Sequence, residues 1–91
     1  MTVYVDDMRA PLKRGFRTYI MCHMIADTEA ELHAMARRIE VKRKWYQGDH
    51  YDISLTKRKL AVSNGAVELT RRELAMKVMA KRRATRELNT R

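Results

Sequence analysis

At 91 residues the chain has room for one domain with one modest core. Twenty Lys and Arg against eleven Asp and Glu leave a net charge of +9, which favours DNA, RNA or another polyanionic partner unless it serves only solubility. The lone cysteine, Cys22, excludes an internal disulfide and a multi-cysteine zinc site; no apolar stretch approaches the roughly 20 residues of a membrane span, and no signal-peptide pattern opens the chain, so a soluble cytoplasmic protein is expected.

Thr2–Asp6 (TVYVD) is β-branched and aromatic and reads as a strand. It ends in Asp6 and Asp7. Ligands gather beyond the carboxyl ends of strands in α/β folds, which makes this pair a candidate. Alternatively one carboxylate caps a turn and the other is solvated. Met8 to Phe16 reads as a loop, broken by Pro11 and Gly15, and Lys13, Arg14 and Arg17 make it basic.

Tyr19–Ile25 is a nearly unbroken apolar run, the pattern of a strand buried on both faces. Alternation puts Tyr19, Met21, His23 and Ile25 on one face, with Ile20, Cys22 and Met24 on the other. His23 is a candidate general base or metal ligand, or else a core histidine with a hydrogen-bonded partner. Cys22 reads as a small buried hydrophobe.

Thr28 and Glu31 form a capping box. Leu32, Met35, Ala36 and Ile39 follow at helical spacing and predict a helix over 28–41. His33 flanks that apolar stripe and reads as a boundary residue. The helix runs into Arg37, Arg38, Lys42, Arg43 and Lys44, with Trp45 and Tyr46 directly after. Basic side chains beside aromatics suit single-stranded nucleic acid, which needs phosphate contacts and a stacking platform. Trp45, the one Trp of a small domain, is expected in the core, which leaves Tyr46 as the aromatic candidate.

Gly48–Asp52 (GDHYD) is dense in ionisable groups. His50 and Asp52 share a side if the segment is extended, and a carboxylate beside an imidazole fixes its tautomer and raises its basicity. The motif gains weight only if Asp6, Asp7 and His23 converge on it in space. Ser54 or Thr56 can start a second helix, which Asn64–Gly65 ends. Lys57, Arg58 and Lys59 give it a basic cluster. Ala66–Leu69 reads as a short strand. Thr70 and Glu73 form a second capping box and open a last helix over 70–86, with Leu74, Ala75, Val78 and Met79 as its stripe. Beyond the stripe come Lys81, Arg82, Arg83 and Arg86. The expectation is a domain over residues 1–80 and a basic helical tail over 81–91, frayed and either phosphate-binding or solvated.

YVDDMR at Tyr4 to Arg9, CHMIAD at Cys22 to Asp27, ELHAMARRI at Glu31 to Ile39, Trp45 with Gln47, HYD at His50 to Asp52, and Lys57 with Ala61, Gly65 and Ala66 together resemble a family of short bacterial and phage proteins, domain of unknown function 4031. The resemblance runs to about Val67. It implies a bacterial or phage source and carries no activity. Two departures stand out. Family members tend to have Gly where this chain has Glu40, and a longer segment between Gln47 and His50, where this chain has only Gly48 and Asp49.

The expected fold is a single small α/β domain, a short partly parallel sheet covered by about three helices. The leading functional expectation is a nucleic-acid-binding accessory protein. Arg37, Arg38, Lys42, Arg43, Lys44, Tyr46, Lys57, Arg58, Lys59, Lys81, Arg82, Arg83 and Arg86 would contact DNA or RNA, with steep salt dependence. An alternative is a metal-dependent phosphodiester hydrolase. In it Asp6, Asp7 and Asp52 would bind magnesium or manganese, and His23 or His50 would act as base. A third is a phage module that inhibits a host protein. Its mark would be an exposed apolar patch.

Overall fold

Strand β3, Arg17–Ala26, is the axis on which everything else is hung. The computed structural model describes residues 2–89. Along one edge of β3 lie β1 (Val3–Val5) and then β2 (Ala10–Arg14), both antiparallel to it; β4 (Tyr51–Ser54) takes the other edge, opposite Met21 to Met24. β5 (Val67–Glu68) runs parallel to β1 and completes a five-stranded mixed sheet. Three α-helices accompany it among the described residues: α1 (Glu29–Arg38), α2 (Leu55–Ser63) and α3 (Arg71–Asn89). The chain is thus the partly parallel α/β domain its pattern predicts.

The two faces of the sheet have different fates. Val3, Val5, Met24, Ala26, Tyr51 and Ile53 point to one face and pack with Leu32, Met35, Ala36 and Ile39 of the first helix and Ala61 of the second. This is the main core. Cys22 is buried on the same face, as expected. The opposite face carries Tyr4, Met21, His23, Ile25 and Asp52. Helix α3 crosses part of it: Lys77 sits over the Tyr4 ring, and Lys81 Nζ donates to the Ala26 carbonyl. Leu74 is the buried residue of α3.

Local sequence sets the helix ends. Thr28 accepts from Glu31 N–H, and Thr70 and Glu73 satisfy each other's backbone donors, both as predicted. Ser54 caps α2 through Lys57 N–H. The end of α1 is a Schellman motif: Val41 N–H reaches the Ala36 carbonyl and Glu40 N–H the Arg37 carbonyl. That motif places Glu40 at φ 61, in the left-handed region that favours glycine.

One segment read as a loop, and one given no element of its own, contain strands. Met8–Phe16 contains β2, which forms a hairpin with β3 through Gly15 and Phe16. Pro11 misleads because β2 is an edge strand, where a missing N–H costs no ladder bond. Its solvated faces also erase the apolar alternation. Gly48–Asp52 runs into β4. There Tyr51 and Ile53 are buried while Asp52 and Ser54 are not, a period of two hidden by the polar residues around it. The last helix continues to Asn89, past its apolar stripe, with Lys81 bonded to the Ala26 carbonyl and Arg82 paired with Asp49. Residues 90–91 of the expected tail lie outside the described residues.

Candidate metal centre

The site begins with a bulge. Between the pairs Val5–Met24 and Ala10–Met21, four residues of the outer chain, Asp6 to Arg9, stand against two of β3, Cys22 and His23. Surplus residues leave the ladder and re-aim their side chains. Arg9 absorbs the distortion at φ 52. Asp6 stays in register long enough to donate its N–H to the His23 carbonyl at 3.1 Å, and its side chain turns inward and is fully buried.

A buried carboxylate needs partners, and Asp6 has several. Its Oδ2 lies 2.7 Å from His23 Nδ1; its Oδ1 accepts from His23 N–H at 2.8 Å and from Met8 N–H at 3.2 Å. Burial alone would raise this carboxyl. The hydrogen bonds from the His23 ring, His23 N–H and Met8 N–H, with the imidazole charge, outweigh it and hold Asp6 below its ordinary range. His23 is raised in turn, first by the Asp6 hydrogen bond and then by the charges of Asp6 and Asp52, against burial and Arg71.

Strand β4 supplies the other half. Asp52 stands directly across from His23 in the register. His23 Nε2 and His50 Nε2 lie 3.7 and 3.6 Å from Asp52 Oδ1. One ligand atom from each of His23, His50 and Asp52 lies within 4.8 Å of the other two. The far side of each group is already held. His23 Nδ1 faces Asp6, His50 Nδ1 faces Asp49 Oδ1 at 2.7 Å, and Asp52 Oδ2 accepts from Gln47 Nε2 at 2.7 Å. Asp52 Oδ1 is buried yet accepts no hydrogen bond among the described residues.

This is the donor chemistry of a cation site. Two imidazoles with a carboxylate behind each, plus one carboxylate oxygen, make a mixed nitrogen–oxygen set. Ligands bound at about 2.0–2.2 Å stand about 3.0–3.5 Å apart, so the set needs only a small closure to grip an ion. Magnesium prefers all-oxygen octahedra; zinc, manganese or ferrous iron suits this set better.

The other expected site residues fall into three groups. Asp7 caps the last helix by accepting Arg71 N–H at 2.7 Å, and Asp6 is occupied by His23 and Met8; the donor set among the described residues is His23, His50 and Asp52. Arg58 is structural: it donates to the Asp6 carbonyl at 2.7 Å and pairs with Glu68 at 2.8 Å. Arg82 pairs with Asp49 at 2.6 Å, lowering that carboxyl against the opposing effect of burial. Arg37, Arg38, Lys42, Lys44, Lys59, Arg83 and Arg86 are exposed, Lys57 is half-buried, and Arg43 lies over the Tyr46 ring. Tyr46 packs on the core and against His33, whose ring is fixed by Tyr51 and Glu29. Trp45 corrects the expectation for the single Trp: it is 43% exposed. The short 3-10 turn at Arg43–Trp45 carries it outside the sheet-and-helix core.

Sequence reasoning passed over Asp49 and Arg71 as site residues. Asp49 was visible as the neighbour of His50, but adjacent side chains in a tight segment point in directions that spacing does not fix. Arg71 lines the cavity of about 220 Å³ beside His23 and His50, under α3.

Fold and site together define a small mixed α/β domain with a histidine–carboxylate cluster at a bulge in its central sheet. The family profile described as protein of unknown function (DUF4031) matches residues 3–82, and the chain belongs to that family. No curated protein and no solved structure matched the chain.

Proposed function

We propose that this protein is a metal-dependent hydrolase of nucleic-acid phosphodiesters, with one divalent transition-metal ion held by His23, His50 and Asp52. The observation that carries the reading is the convergence of three unshared donor atoms within 4.8 Å, each on a side chain braced from behind. A bound ion would polarise a phosphoryl oxygen and lower the pKa of a bound water. Asp6 and Asp49 hold the two imidazoles at Nδ1, leaving Nε2 of each beside Asp52 Oδ1, where they would hold the ion. Arg71 and the positive surface supply attraction for phosphate. The net charge of +9 supports a polyanionic substrate over a neutral one.

The test combines binding and cleavage. Zinc, manganese and magnesium are titrated against the apo protein, and labelled single- and double-stranded DNA and RNA are incubated with each metal or with chelator. The expected outcome is tight zinc or manganese binding, weak magnesium binding, and metal-dependent shortening that His50→Ala abolishes. Metal binding without cleavage would leave a metal-stabilised nucleic-acid-binding protein, the reading favoured by the exposed Arg37, Arg38, Lys42 and Lys44. No metal binding at all would remove the hydrolase reading.

A further inference from the structure

The sheet face that carries His23 is only partly covered by α3. Beyond the helix it opens into a groove of about 650 Å³, walled by Leu12, Tyr19 and Met21 on the hairpin side and by Lys44, Trp45 and Gln47 on the other. Asp52 also lines it. The groove and the metal centre therefore share a residue. Tyr19, Met21 and His23 stand in one row along β3, each step about 6.8 Å, so the row leads from the open groove to the ligand set.

The walls combine exposed rings with cations. Trp45 is 43% exposed and Tyr19 38%. Arg14 Cζ lies 5.0 Å and Lys44 Nζ 5.3 Å from the Trp45 ring centre. Lys42 and Lys57 add two further positive charges along the lining, against Glu40 and Asp52. A second large cavity, beside the start of α1, is different: Asp27, Glu29 and Asp49 offset its Lys81, Arg82 and Arg86. An excess of cations around exposed aromatic faces is the chemistry of a polynucleotide track.

We infer that this groove binds single-stranded nucleic acid, with one base stacked on Trp45 and the chain led along the Tyr19–Met21–His23 row to Asp52. This names the substrate class of the proposed hydrolase and rests on that reading for where the strand ends. A ring on a groove wall can be reached only by a base already out of a duplex stack. A cation resting on an exposed ring is held less strongly than a stacked base. Arg14 or Lys44 then swings from the ring to the flanking phosphate.

The experiment is run in chelator, so that its outcome is independent of metal binding and cleavage. Labelled oligothymidylate, oligouridylate and a duplex of equal length are titrated with the full chain by fluorescence anisotropy, with Trp emission recorded in parallel. The chain has a single Trp, so quenching reports on this ring. The expected result is quenching by single strands, at least about tenfold preference over duplex, and about tenfold weaker binding for Trp45→Ala. Trp45→Tyr should recover most of the affinity, which separates stacking from a folding defect. Tighter binding of the thymidylate or the uridylate assigns DNA or RNA. Equal duplex binding, unquenched emission, or unchanged affinity in Trp45→Ala would each overturn the inference. In a parallel assay with metal in place of chelator, cleavage of the single strand that persists undiminished in Trp45→Ala would overturn it while leaving the hydrolase reading intact.

Discussion

Asp6 holds His23 by two separate bonds, one to ring Nδ1 at 2.7 Å and one to the main-chain N–H at 2.8 Å. The two residues are 17 apart in sequence and are brought together by the bulge between β1 and β2. These paired hydrogen bonds fix the ring's position and its tautomer at once, leaving Nε2 directed at Asp52. The consequences can be measured.

Asp6→Asn should act on stability and on metal affinity together. The charge-assisted bonds it weakens are worth about 1.5–3 kcal/mol in a buried setting. Denaturant unfolding should show a loss of that size. A group that orients a metal-bound imidazole is worth about 10–100-fold in affinity, so zinc titration of the variant should show a drop in that range. An unchanged zinc affinity would mean that His23 is not a ligand.

The pH response of stability should change shape when metal is present. His23 is held above its ordinary value of 6.5, foremost by the Asp6 hydrogen bond. The stability from the charged ring is therefore fully present below 6.5 and is lost as pH rises through the higher folded value. Asp6 is held below 3.8, so its contribution is present above 3.8 and is lost as pH falls through the lower folded value. The metal-free pair thus supports the fold best between 3.8 and 6.5. Metal must displace the Nε2 proton of His23, so the metal-induced rise in Tm should grow with pH over the range where the apo protein loses stability. Parallel apo and holo profiles would count against His23 as a ligand.

Glu40→Gly should stabilise the protein. Glu40 occupies the left-handed position after α1 at φ 61. A side chain there costs about 1 kcal/mol relative to glycine, and Glu40 is exposed, so its side chain buries no apolar surface in return. Chemical denaturation should show a higher midpoint with unchanged slope. A lower midpoint would mean that the carboxylate has a stabilising role that outweighs the backbone conformation.

Arg82→Ala should loosen the cover without unfolding the core. Arg82 ties α3 to Asp49, and Leu74 is the one buried residue of that helix. The expected outcome is faster amide exchange over residues 76–89, little change in global unfolding, and quicker zinc capture. Unaltered exchange in that span would show that Lys77 on Tyr4 and Lys81 on Ala26 suffice to dock the helix.

What could be read from sequence was local. The boxes Thr28–Glu31 and Thr70–Glu73 are legible because their partners are three residues apart. The row Tyr19, Met21, His23, Ile25 is legible because a strand alternates. Asp6, His23, His50 and Asp52 could be named as residue types worth watching, but nothing local says that β1 and β4 flank β3 on opposite edges. That arrangement alone brings the four together. The adjacent pair Asp6 and Asp7 shows the limit most clearly. Sequence offers them as a pair of ligands, or as one cap and one solvated carboxylate, without saying which is which; the bulge buries Asp6 beneath His23 and leaves Asp7 to cap a helix 64 residues away. Trp45 failed for a related reason: the rule that a lone Trp fills the core has no knowledge of a 3-10 turn that lifts it onto a groove wall.

The pairing of His23 with Asp52 would tie any ion bound there to the correct strand register. A slip of β4 by one residue would bring Tyr51 or Ile53 opposite His23 and send Asp52 to the other face of the sheet. Misregistered chains would then lack a coordinating carboxylate, and an ion would lower the free energy of the correctly paired form alone. The centre would serve as a checksum on strand alignment before it served any substrate.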